Sequence, residues 1–180
     1  MHHYLESALQ LMNDATARFE EADLVRRPAE GKWSPAEHVE HLSLTFSGTA
    51  RMFQKLVAAH AQSAPVLQLP IALKLRPSTP REWLGVLMVV ELGRMPAGRE
   101  APKFAVPKGL SGSAALAAFR EHVRSMDGAL REAELMFGTS GSVAEHLILG
   151  PLTINQWRRF HFVHTRHHMR QVASMNLLQA

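Results

Sequence analysis

Trp157-Arg158-Arg159-Phe160-His161-Phe162-Val163-His164-Thr165-Arg166-His167-His168-Met169-Arg170-Gln171 is the stretch that decides the reading of this chain. Strict apolar–polar alternation is missing and helical spacing takes its place. At about 100° per residue, Trp157, His164, His168, Gln171 and Met175 share a narrow stripe, while Arg158, Arg159, Arg166 and Arg170 fall elsewhere. The apolar side must face a core, so His164 and His168 are carried inward with it. Residues four apart on a helix sit about 5–6 Å apart at Cβ, a spacing that lets both imidazoles reach one ion. His161 lies near the same stripe and His167 at its edge. The zinc-protease signature needs glutamate directly after the first histidine; Thr165 stands there, and that chemistry is set aside.

Helical spacing continues upstream. Leu5, Leu9, Met12 and Phe19 mark a first helix over roughly residues 4–22. Ser34-Pro35-Ala36-Glu37 opens a second, with serine capping, proline in the first turn and Glu37 able to reach back. Its stripe runs through Val39, Leu42, Phe46, Phe53 and Val57. Residues 62–112 hold seven of the ten prolines. Within them Thr79-Pro80-Arg81-Glu82 repeats the capping logic and introduces a short helix, read as buried because residues 83–90 are apolar nearly all round. A third long helix follows a Ser113 cap, with Leu116, Phe119, Val123, Met126 and Leu130 on one side. Residues 138–151 read as a turn-rich connection, and Thr153-Ile154-Asn155-Gln156 caps the last helix.

Four long helices of about 20–28 residues, each with one apolar stripe, predict an all-α four-helix bundle. The long link between the second and third long helices predicts a crossover connection with a short inserted helix. Residues 1–180 read as one domain, with the insert at about 62–112.

Composition narrows the chemistry. With 46% hydrophobic and 20% charged residues, the chain has the apolar mass for a core. It has no cysteine, so disulfides, zinc–thiolate sites and a protein-borne thiol nucleophile are excluded. Eleven histidines stand against one tyrosine, so any metal site must use imidazole nitrogen and carboxylate oxygen. The formal charge of +4 is too small to demand nucleic acid. The N-terminus lacks a signal-peptide pattern, and the longest apolar run, residues 83–90, is less than half a membrane span of about 20 residues. A cytoplasmic protein without membrane partners is expected.

The second helix supplies a partner for the late histidines in Glu37-His38-Val39-Glu40-His41-Leu42. His38 lies closer to the apolar stripe and His41 at its margin. Periodicity favours His38, whereas a site at the bundle mouth suits His41. Trp33 and Trp157 read as core anchors, either of which is also placed to wall a pocket. His60 and His122 read as surface residues, and the four late arginines as a solvated face able to attract an anionic substrate.

Trp33-Ser34-Pro35-Ala36-Glu37, a His-Leu pair eight residues after the tryptophan, and a late His-x-x-x-His-x-x-Gln together resemble the DinB-like (DinB/YfiT-like) metal-binding four-helix bundles. His146, Gly150-Pro151-Leu152-Thr153, Trp157, His164, His167-His168, Arg170-Gln171 and Pro102-Lys103-Phe104 resemble the branch known mainly as a domain of unknown function. The resemblance covers nearly the whole chain. Leu147 departs from it, standing where proline is expected after His146. The resemblance implies a divalent metal, zinc or nickel, held by His41, His164 and His168, and a homodimer. It also implies chemistry that is mostly thiol-dependent transfer or isomerisation with an external low-molecular-weight thiol.

Three neutral imidazoles leave a coordination position for water or a small-molecule substrate. Gln171, one turn beyond His168, is placed to orient a ligand. The expected function is a metal-dependent enzyme doing group transfer or hydrolysis. The alternatives are a non-catalytic metal-binding or stress-associated bundle and, last, a nucleic-acid binder using the arginine face.

Overall fold

A computed structural model describes residues 1–61, 73–96, 98 and 100–176. The expected path of the link over residues 62–72 lies outside them. Four long helices carry the fold: α1 His3–Thr16, α3 Pro35–Ala61, α5 Gly112–Phe137 and α6 Ile154–Ala173. Two short ones, α2 Glu21–Val25 and α4 Pro80–Gly85, lie between them.

Side-chain pairings fix the helix directions. His41 meets His164, Thr49 meets His161 and Phe53 meets Trp157, so α3 and α6 are antiparallel. Phe46 packs on Phe119 and His60 on Phe137, so α3 and α5 run the same way. Two parallel helices joined in sequence need a link that returns the length of a helix, about 39 Å for the 26 residues of α5. That requirement is the physical origin of the long segment between α3 and α5, and the bundle has the crossover that the sequence predicts.

The core follows the predicted stripes. Leu5 and Met12 of α1, Val39, Leu42, Phe46 and Phe53 of α3, and Phe119, Val123, Met126 and Leu130 of α5 are fully buried. The three capping boxes form. The Ser34 N–H donates to Glu37 and the Glu37 N–H to Ser34 Oγ; Thr79 pairs in the same way with Glu82, and Thr153 with Gln156.

Several expectations change. The first helix stops at Thr16 rather than near residue 22. The chain re-enters as α2, which buries Leu24 and brings Glu21 to the start of α5, where its carboxylate accepts from the Ser113 N–H at 2.9 Å. α5 is capped by Ser111, not Ser113, through its hydroxyl and the Ala114 N–H. The short insert helix is not buried. Trp83 is 63% exposed and Leu84 53%, because the bundle interior is already filled by the four long helices; in the π-helical turn Val86–Glu91, Val89 and Val90 are buried and Val86 packs against the core from its edge.

The connection before α6 is an antiparallel hairpin, β1 Ser142–His146 with β2 Gly150–Thr153, pairing Ala144 with Leu152 and His146 with Gly150. A Cβ on Gly150, whose φ is +69°, would fall 2.6 Å from the Glu82 carboxyl carbon, so this turn needs glycine both for conformation and for α4 to approach. Among the described residues no helix is long and apolar enough to cross a membrane.

Candidate metal centre

The antiparallel contact of α3 and α6 sets the first turns of α3 against the last turns of α6. α3 places His38 and His41, and α6 His164 and His168, on the faces that meet. His41 Nε2 lies 3.3 Å from His164 Nε2, and His164 Nε2 lies 3.1 Å from His168 Nε2. Ligand nitrogens of all three residues fall within 4.8 Å of one another, a group that could hold a metal ion. Three nitrogens at 2.0–2.1 Å from a tetrahedral ion lie about 3.3 Å apart, so two of the three separations match that geometry.

Tautomers follow from what each other ring nitrogen touches. His41 Nδ1 lies 2.8 Å from the carbonyl oxygen of Ala105, which has only lone pairs to offer. The Nδ1–H therefore donates, and Nε2 is left with a free lone pair facing the centre. His168 Nδ1 lies 3.0 Å from His38 Nδ1; with the His168 N–H donating there, its Nε2 also presents a lone pair. Lone pairs converging on one point repel unless something positive lies between them. His164 Nδ1 is buried without a hydrogen-bond partner among the described residues, so nothing on its far side competes for that ring.

Burial keeps these rings neutral. It drives His164 and His168 far below the usual histidine range, with neighbouring histidines adding to the effect, and a hydrogen bond with Gln171 partly opposes it at His168. Burial also lowers His41, against the pull of the Ala105 carbonyl, and takes His38 to about 4. Neutral imidazole is the form that ligates a metal, so the donor set is ready without losing protons near neutral pH.

Carboxylates are absent from the cluster because the nearby ones are committed elsewhere. Although burial works against its charge, Glu37 is held below the usual carboxylate range by hydrogen bonds from Arg27 and Ser34. Glu40, 3% exposed, accepts the backbone N–H groups of Lys108, Gly109 and Leu110 at 2.8–3.0 Å. This clamp fixes the loop just after the 3₁₀ turn Lys103–Ala105, the turn whose last carbonyl orients His41.

The sequence profile of the DinB superfamily matches residues 4–172. The chain belongs to the DinB superfamily. Comparison with curated proteins and with solved structures returns no match.

The three family-implied histidines thus come together in this DinB-superfamily bundle, and His38 joins them as a neighbour of His168. His161 does not join: its Nε2 lies 2.9 Å from Thr49 Oγ1 and its ring packs on Phe46. Gln171 is exposed yet within reach of His168. Trp157 is core, as expected; Trp33 stands beside the centre, 5.0 Å from the His41 ring and 6.2 Å from that of His168.

Other assignments are corrected. His122 is half-buried and pairs with Ser43, and His60 is half-buried with its ring against Phe137. His146 closes the hairpin turn by accepting the Ile148 and Leu149 N–H groups, with its ring on Phe160. Arg158, read as solvated, is 3% exposed and paired with Glu134, while Arg159 pairs with Glu91.

Sequence reasoning missed the Ala105 carbonyl and the Glu40 clamp. Helical periodicity carries no signal for a backbone acceptor on a loop. The pointer in the sequence is Pro102-Lys103-Phe104, which carries family likeness but no chemistry of its own.

Proposed function

We propose that this chain, acting as one domain, is a metal-dependent enzyme in which His41, His164 and His168 hold a divalent ion, zinc or nickel. The convergence of ring nitrogens from three neutral imidazoles on two helices, one buried and two half-buried, carries this reading. When bound, such an ion supplies Lewis acidity that brings the pKa of a bound water or thiol toward neutrality. The protein's own residues do the rest. The Ala105 carbonyl and His38 fix the rotation of His41 and His168. Trp33 stands against the rings of His38, His41 and His168 and shields one side from water.

With no cysteine in the chain, a thiol nucleophile arrives with an external low-molecular-weight thiol. The reaction class we favour is transfer of that thiol to a small electrophile, with hydrolysis as the other candidate chemistry. Internal pairing of Arg158 and Arg159 removes two guanidinia from the face that a nucleic-acid reading requires. Exposed Trp83 and Leu84 support a homodimer.

The test is turnover of activated electrophiles with small thiols, and of ester or amide substrates with water, by zinc- and nickel-loaded protein. Activity that disappears on chelation and in H168A is expected. Stoichiometric metal binding without turnover of any substrate in either screen would favour a non-catalytic metal-binding bundle instead.

A further inference from the structure

α6 has a second functional-looking face. Arg94, Arg166, His167, Arg170 and Gln171 line a cleft of about 460 Å³ between the Gly93–Met95 segment and α6, within the usual size range of small-molecule sites. No aspartate or glutamate lines it, and none of its three arginines has a carboxylate partner among the described residues. The contrast with Arg158 and Arg159 on the same helix is direct, since each of those is neutralised by a glutamate.

Arg166 is held in place by neutral groups. One terminal nitrogen donates to the Gly93 carbonyl at 3.0 Å, and the guanidinium lies 5.5 Å over the Phe162 ring. Gly93 has φ +65°, and a Cβ there would fall 2.2 Å from that same nitrogen. The seat therefore depends on glycine, and it leaves the remaining Arg166 N–H groups and the full charge unspent. Fixed guanidinium in a concave space is the arrangement that binds planar or tetrahedral oxyanions. The cleft also borders the histidine centre. The ring of His167 lies 5.2 Å from that of His168, and Gln171, one helical turn beyond His168, lines the cleft.

We propose that this cleft binds the oxyanion group, a carboxylate or a phosphate, of the small-molecule substrate and presents the rest of that molecule toward His168. The proposal deepens the enzyme reading, but oxyanion binding itself does not require the metal.

The test titrates the metal-free full chain at low ionic strength with inorganic phosphate and, separately, with acetate, followed calorimetrically. Saturable binding of at least one anion is expected. It should weaken roughly tenfold or more in R166A and in the exposed-residue double variant R94A/R170A, and stay unchanged in R124A on α5. The arm that saturates identifies phosphate or carboxylate as the group recognised. Absence of saturable binding by both anions, or binding untouched in R166A and R94A/R170A, overturns the proposal. Metal retained by a separate zinc-loaded and dialysed portion of each protein separates the two readings: metal retention without anion binding removes only the cleft, and anion binding without metal retention removes only the metal centre.

Discussion

The seam between α3 and α6 holds buried and half-buried histidines at two levels, and they behave differently. Deep in the bundle, His161 is 1% exposed, bonded to Thr49 and packed on Phe46, with burial taking its pKa to about 3. Toward the start of α3 and the end of α6, His41, His164 and His168 are equally neutral, but their Nε2 atoms face one another. Burial is common to both levels, so burial does not make a metal site. What distinguishes the second level is multiplicity, together with partners on the far side of two of the rings: the Ala105 carbonyl, which leaves the His41 Nε2 lone pair pointing inward, and His38 behind His168. His161 Nε2 has the Thr49 hydroxyl as its partner, whereas the Nε2 atoms of the cluster have only one another.

Metal affinity should break the comparison most sharply. Alanine at His168 or at His164 should lower affinity by at least roughly 100-fold, while alanine at His161 should leave it unchanged. The checking measurement is competition with a chromogenic chelator. Stability should invert the order. H161A leaves a cavity in the core and an unsatisfied Thr49, and should cost about 2–4 kcal/mol in urea unfolding of the metal-free protein.

Acid provides a third contrast. His161 and His146 have folded pKa values of about 3 and about 4, and burial is the leading cause at both; in the unfolded chain each titrates near 6.5. Between those limits the unfolded state binds more protons. Stability of the metal-free protein is therefore full above about pH 6.5 and falls as pH drops, by up to about 1.4 kcal/mol per pH unit for each such histidine. A midpoint urea concentration that rose or stayed constant from pH 7 to 5 would contradict this burial account.

Smaller effects sharpen the picture. H38A removes the acceptor behind His168 and should weaken metal binding by roughly 10–100-fold, less than loss of a ligand. H60A, on the far part of α3 against Phe137, should leave metal affinity unchanged.

Much of this arrangement was legible in the sequence for a physical reason. Periodicity reports which side of a helix is buried, and so it placed His164 and His168 inward and gave the bundle its four stripes. The same logic favoured His38 over His41, because His38 lies nearer the stripe. The structure gives both a place, His41 within the cluster and His38 behind His168. The choice of His41 rests on the family resemblance, which the spacing from Trp33 carries; periodicity alone does not make it, because a residue at a stripe's margin can still face a partner helix where two helices meet obliquely.

The break after Thr16, the hairpin of residues 142–153 and the exposure of Trp83 were not legible. Each is decided by tertiary space: Glu21 reaching α5, a short ladder closing the bundle end, and a core already full. The buried Arg158–Glu134 pair escaped for the same reason, as helical angle does not reveal an acid on a neighbouring helix.

The central claim is that α3 and α6 together build one metal site from three imidazoles. Metal per chain, measured by inductively coupled plasma mass spectrometry after loading with zinc or nickel and exhaustive dialysis, tests it most directly. Wild type should retain one equivalent, and the H41A/H164A/H168A variant, checked for helicity by circular dichroism, should retain essentially none. Equal metal content in the two folded proteins would contradict it.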